Sequence, residues 1–124
     1  MIGEPADPRR RAAAGWIVVV VALALQMWGL YTTSPPDPGP LSFPGLDKVV
    51  HLVLFAVPTW ALMRVVPKPW MALTPMLMHV PISELVQHFW IAERSGDVLD
   101  ALAGLLGVAV GWWTAVRTDT DTRP

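Results

Sequence analysis

Residues 83–111, SELVQHFWIAERSGDVLDALAGLLGVAVG, decide how this chain folds. Glu84, Gln87, His88, Arg94, Asp97 and Asp100 crowd into one short interval there, with apolar sequence on both sides. Charged groups in hydrocarbon are costly, so such residues face a bundle interior or a polar cavity. Beyond Gly96 the polar positions give way to small ones. Asp97, Asp100, Gly104, Gly107 and Gly111 recur at intervals of 3, 4, 3 and 4, which is one stripe of one helix. Gly107-x-x-x-Gly111, extended back by Ala103, is a small-xxx-small pattern that lets helix backbones approach closely. Packing inside one bundle and pairing of two copies into a homo-oligomer both fit that pattern.

The composition around this stretch is that of a membrane protein. Hydrophobic residues make up 53% and charged residues 15% of 124, against about 25% charged in a soluble domain. The length suits one domain. A net charge of -1 and the lack of a basic patch with interleaved aromatics speak against nucleic acid as a partner. There is no cysteine, which excludes disulfides, thiolate catalysis and Cys-ligated zinc. No serine-nucleophile elbow, P-loop or His-Glu-x-x-His motif is present.

Hydropathy predicts an all-α fold, an integral membrane bundle of four transmembrane helices. Residues 1–11 read as a flexible cytoplasmic tail ending in Arg9, Arg10 and Arg11. The first span, 12–31, is an apolar run of roughly 20 residues, the length of a bilayer-crossing helix. A basic stretch before an apolar run also describes a signal peptide, but residues 32–35 offer no small-x-small cleavage site. Residues 32–46 form a Pro/Gly loop that cannot continue a helix. The second span, 47–66, contains Pro58, which predicts a kink. The third, 70–90, contains Pro75 and Pro81 and is expected to be bent or locally unwound. The fourth covers 97–116, and residues 117–124 read as a cytoplasmic tail.

Basic residues set the orientation. Arg9, Arg10, Arg11, Arg64, Lys68, Arg117 and Arg123 fall on one side of a four-span chain, predicting both termini in the cytoplasm. Trp16, Trp28, Tyr31, Trp70, Trp90, Trp112 and Trp113 lie near span ends, as interfacial aromatics do. Asp47, Lys48, His51, Glu84, Gln87, Arg94, Asp97 and Asp100 then share one depth at the outer leaflet. Asp47 and His51 are spaced i,i+4, and Glu84 and Gln87 i,i+3, so each pair shares a helix face.

Each of these residues also has a plain structural role open to it. Asp47 and Asp97 suit helix N-caps, and Asp100 at N3 suits the positive end of the helix dipole. Glu84 is expected to pair with Arg94 or Lys48. His51 and His79 suit hydrogen-bonded interior positions, and Glu93 a solvated surface. As a set on one side, the residues point to a site. Carboxylates beside a histidine serve acid/base chemistry. Asp47, His51, Glu84, Asp97 and Asp100 offer oxygen and imidazole ligands to a divalent cation, although no cofactor is required. Arg94 and Lys48 suit a lipid phosphate or carboxylate.

The order and spacing of these motifs resemble the VanZ-like family of small bacterial membrane proteins. The resemblance rests on Asp47-Lys48-x-x-His51, Glu84-x-x-Gln87, Arg94-x-x-Asp97-x-x-Asp100 and Gly104-x-x-Gly107, and covers about residues 46–113. Ala103 stands where the family commonly has Asn. The family is named for a protein associated with teicoplanin resistance, and its biochemical mechanism is not established. The resemblance implies a multi-pass protein of the bacterial cytoplasmic membrane. The leading expectation is a non-enzymatic envelope protein whose cluster binds a membrane lipid head group, a lipid-linked cell-wall precursor or the glycopeptide itself. The alternative is a membrane-embedded, metal-assisted hydrolase of lipid phosphate or ester groups.

Overall fold

The computed structural model describes residues 7–33, 37–92, 94 and 96–120. Glu93, Arg123 and the outer parts of both expected tails lie outside the described residues. The described chain is all-α: α1 (Pro8–Tyr31), a 3-10 turn (Gly39–Leu41), α2 (Leu46–Met63), α3 (Trp70–Trp90) and α4 (Val98–Thr120).

The first helix starts earlier than its apolar run. Asp7 accepts the Arg9 N–H at 3.0 Å, and Pro8 takes the first helical position, where its missing N–H costs nothing. Arg9, Arg10 and Arg11 therefore sit in the opening turn of α1 and not in a flexible tail. At the other end of the chain, α4 runs on through Arg117 to Thr120, beyond the expected boundary. The second helix ends at Met63, short of residue 66, where the chain turns towards Pro67 and Pro69.

The helices pass through their prolines uninterrupted. Pro58 lies inside α2, and Pro75 and Pro81 inside α3, so the expected unwinding of the third helix is absent. Buried hydroxyls lie close by. Thr59 donates to the Phe55 carbonyl at 2.7 Å and Ser83 to the Val80 carbonyl at 2.8 Å. Such back-bonds hide a polar side chain in an apolar interior without a partner from another helix.

α2 and α4 run side by side in the same direction and form the tightest seam. The glycine stripe lies on it. A Cβ at Gly107 would strike the Leu52 carbonyl oxygen, and one at Gly111 the Ala56 carbonyl oxygen. Gly104 lies under the Phe55 ring and Val80, where a Cβ would come within 3.1 Å. The stripe is therefore covered by this chain's own α2, with Ala103 half-buried at its edge. α1 packs antiparallel to α2, with Gly15 against Val65 and Gly29 against Leu54. The core between the helices is Leu30, Phe55, Met76, Val80 and Val108, with Val19, Ala22 and Ala61 as a second cluster.

The outer surface is apolar. Ile17, Val20, Leu25, Val53, Met78, Leu85 and Leu106 are all exposed. Three helices are long and apolar enough to cross a membrane: α1, α2 and α4. α3 is as long, at 21 residues, but it carries His79, Ser83, Glu84 and Gln87 together with two prolines.

The seam makes a stability ranking. Gly107→Ala and Gly111→Ala force backbone apart and are expected to cost about 1–3 kcal/mol each, the range for overpacking a close-packed core. Gly104→Ala needs only small shifts of the Phe55 and Val80 side chains and is expected to cost less. Thermal unfolding of the three variants in detergent measures the order.

Candidate functional site

The N-termini of α2 and α4 and the C-termini of α1 and α3 meet at one end of the bundle. Arg9 to Arg11, Arg64, Lys68 and Arg117 lie at the other, where Arg64 reaches Thr118 at 3.1 Å and Asp119 at 3.8 Å.

The first polar centre is Lys48. Its Nζ lies 2.7 Å from Asp47 Oδ2, 3.3 Å from Asp97 Oδ2 and 3.1 Å from Asp100 Oδ1. An ammonium has three N–H donors, and here each has its own carboxylate. Asp47 comes from α2, Asp97 from the residue before α4 and Asp100 from α4's first turn, so one side chain ties two helix starts together. Asp97 caps α4 as its position predicts, accepting the Leu99 N–H at 2.9 Å. That bond, with Lys48 adding to it, holds the Asp97 carboxyl below its ordinary range. Asp47 does not cap α2. Gly45 holds the cap position in a left-handed conformation, φ 88°, and Asp47 falls inside the first turn. Asp100 is buried, as its depth along the stripe implies.

Behind this centre lies a second one. His51 Nδ1 donates to the Asp47 carbonyl oxygen at 3.0 Å, and its Nε2 stands 3.4 Å from Glu84 Oε1. Glu84 Oε2 accepts the Asp97 N–H at 3.0 Å. The acid thus pairs with His51 and the α4 cap, and not with Arg94 or Lys48 as the charge pattern suggests.

Arg94 has a different task. Its Nη1 donates to the carbonyls of Gly29 at 3.1 Å and Leu30 at 2.9 Å, and Gln87 Nε2 donates to Leu30 at 2.8 Å. These carbonyls belong to the last turn of α1, which has no intrahelical donors for them. Arg94 and Gln87 close that helix end and so pin α1 to α3.

Two polar residues of the interior escaped sequence reasoning. Tyr31 reads as an interfacial aromatic, yet its hydroxyl bonds His79 Nε2 at 2.7 Å. The His79 ring also meets Phe55 edge-on, so its expected structural role holds. Gln26 is fully buried in α1, and neither amide atom has a partner among the described residues. Nothing in a lone Gln within an apolar run signals that burial. His88, beside the cluster in sequence, is exposed and stacks edge-on with Phe89.

A cleft of about 690 Å³ opens over this end of the bundle. Its walls include Trp28, Phe43, Leu46 and Val50, and its polar lining includes Asp47, His51, Arg94, Asp97 and Asp100. The volume falls within the range of small-molecule sites, about 300–1,000 Å³. Apolar walls over a charged floor suit a molecule with one apolar and one polar end. Among the described residues no group of three or more His, Cys, Asp or Glu side chains is arranged to hold a metal ion. The Lys48 ammonium sits among the three aspartates.

The chain matches no family model, no curated protein and no solved structure.

The depressed Asp97 carboxyl has a pH signature. A group whose folded-state value is lowered contributes stability above its ordinary value and loses it as the pH falls through the folded one. Asp97→Asn is therefore expected to melt below wild type at pH 7, with the gap closing in the acid range under the ordinary value of 3.8. Melting curves of both proteins across that range check the sign.

Proposed function

We propose that this chain is a VanZ-like, four-span protein of a bacterial cytoplasmic membrane, with both termini in the cytoplasm. The cleft then opens at the outer leaflet, where it holds the polar end of an amphiphile and so alters the access of a glycopeptide such as teicoplanin to the cell surface. The amphiphile is a membrane lipid or a lipid-linked cell-wall precursor, or the glycopeptide itself. The cleft carries this reading, because it joins apolar walls to a charged floor at a helix-bundle end.

Support for α3 as the fourth span comes from how its residues are distributed. At about 1.5 Å per residue its 21 residues extend about 31 Å, the thickness of a hydrocarbon core. Ser83 and Gln87 are buried against the other helices, while Met71, Leu77, Met78, Ile82, Leu85 and Phe89 face outward. A mean over the helix blends these two faces. With four spans, the rule that basic residues stay inside puts the Arg9, Arg64, Lys68 and Arg117 end in the cytoplasm.

The hydrolase reading keeps one feature in its favour. His51 is oriented by the Asp47 carbonyl and stands beside Glu84, as a positioned acid/base pair would be. Turnover of lipid phosphates, with and without divalent metal, separates it from pure binding.

Topology is tested by labelling, since the chain has no native cysteine. Ser42→Cys, in the exposed loop before α2, is expected to react with an impermeant reagent from outside the cell, and Lys68→Cys only after permeabilisation. The reverse pattern places the cleft in the cytosol and removes the envelope reading.

Function is tested with Asp100→Asn and Glu84→Gln expressed beside wild type in a susceptible Gram-positive host. Wild type is expected to shift teicoplanin susceptibility, and the two variants to lose the shift while still accumulating in the membrane, with Asp100→Asn melting below wild type because it weakens the buried pair with Lys48. Variants that vanish from the membrane would assign the carboxylates to holding the bundle together. A wild type without effect would detach the resistance label from this chain.

A further inference from the structure

We propose that a groove between α2 and α4, toward the end of the bundle opposite the cleft, seats an acyl chain of an anionic phospholipid whose phosphate is held by Arg64 and Arg117. The inference goes beyond the cleft reading and does not depend on it. It needs only that the apolar outer surface of the bundle meets lipid.

The groove comes from the seam. α2 and α4 run parallel, with Gly111 set against Ala56. Next to that contact a shallow groove of about 270 Å³ opens between the helices, lined by Ala56, Val57, Trp60 and Thr114. Val57 is exposed, so the groove faces outward. Thr114 spends its hydroxyl on its own helix, donating to the Val110 carbonyl at 2.8 Å and the Gly111 carbonyl at 3.1 Å. Small aliphatic groups beside an indole are a lining for hydrocarbon, which gains from close packing there.

Two arginines stand where the groove ends. Arg64 lies one helical turn beyond Trp60, and its guanidinium carbon sits over the Trp60 ring, 5.7 Å from the centroid. Arg117 lies three residues beyond Thr114 and so shares its side of α4. Its guanidinium carbon sits over the Trp113 ring at 4.7 Å. Because the helices are parallel, each wall of the groove carries a guanidinium at the same end. Their depths match, since Arg64 Nη1 reaches Thr118 of α4 at 3.1 Å. A guanidinium held over an aromatic ring pairs with phosphate through its N–H edge.

The charge around them agrees. Arg9, Arg10, Arg11 and Lys68 add to this end, against Asp7 and Asp119 among the described residues. Basic pockets between membrane helices suit anionic head groups. Asp119 faces Arg64 at 3.8 Å with an exposed side chain. An exposed pair of that length is weak, so a lipid phosphate competes with it.

The test uses the purified full chain in a mild detergent, titrated by calorimetry with short-chain phosphatidylglycerol, phosphatidylcholine of the same acyl chains, and soluble glycerol phosphate. Phosphatidylglycerol is expected to bind about 10-fold tighter than phosphatidylcholine, a difference of about 1.4 kcal/mol. Arg64→Gln with Arg117→Gln is expected to abolish that preference. Arg10→Gln with Arg11→Gln removes as much charge from α1, which does not pack on α4, and is expected to keep it. Val57→Trp, which fills the groove, is expected to weaken both lipids. Asp119→Asn is expected to tighten phosphatidylglycerol, a gain that a folding defect does not produce. Equal binding of the two lipids, or an equal loss in both arginine pairs, overturns the phosphate site. Lipid binding that ignores Val57→Trp, or glycerol phosphate binding as tightly as the lipid, overturns the groove as the seat of the chain. None of these results bears on the cleft, so this inference and the proposed function fail separately.

Discussion

Two helix backbones come into contact only where no Cβ stands between them, and Gly107 and Gly111 provide that opening along α4. The Leu52 and Ala56 carbonyls of α2 fill it. Much of the architecture follows from this approach. It sets the depth of α2 against α4, and that depth brings the Lys48 ammonium within reach of Asp97 and Asp100. It also places Phe55 over Gly104, where the ring touches Val80 of α3 and His79 through its edge. In an apolar solvent, helices gain little from excluding water and depend on such close packing. Glycine at two points on one stripe is therefore a fold determinant here.

The polar end obeys a second constraint, that buried polar groups need partners. Arg94 and Gln87 complete the last turn of α1, Asp97 completes the first turn of α4, and Lys48 bridges the acids at two helix starts. Taken one at a time, these are capping devices. Their convergence produces something none of them does alone, because four helix ends cannot close over one another completely. The gap left among them is the cleft, with the loop residues Phe43 and Ser42 forming part of its rim. The cleft lining and a set of helix caps are thus made from the same side chains, and one residue often serves both.

Most donors at this end of the bundle are engaged within the protein. Lys48 and Arg94 have donors engaged by the protein, and His51 and Glu84 face each other at 3.4 Å. Gln26, fully buried in α1 with neither amide atom bonded to a described residue, lies away from the cleft lining.

From the sequence alone one could read the all-α class, the position of every long helix to within a few residues, the packing stripe of α4, and the gathering of polar residues at one end. Period, length and proline content are local quantities, and each is written in consecutive residues. Helix ends shifted where a cap outweighed hydropathy, as Asp7 and Pro8 do for Arg9 to Arg11. Partnership was decided only by the tertiary structure. Glu84 took His51 and not Arg94, Arg94 took the end of α1, Asp47 gave up a cap for Lys48, and Tyr31 turned inward to His79. Which face a residue occupies on its own helix follows from spacing. Which residue of another helix it meets depends on the relative depth and rotation of the two helices. Those are set by contacts such as Gly107 on Leu52, between residues 55 positions apart.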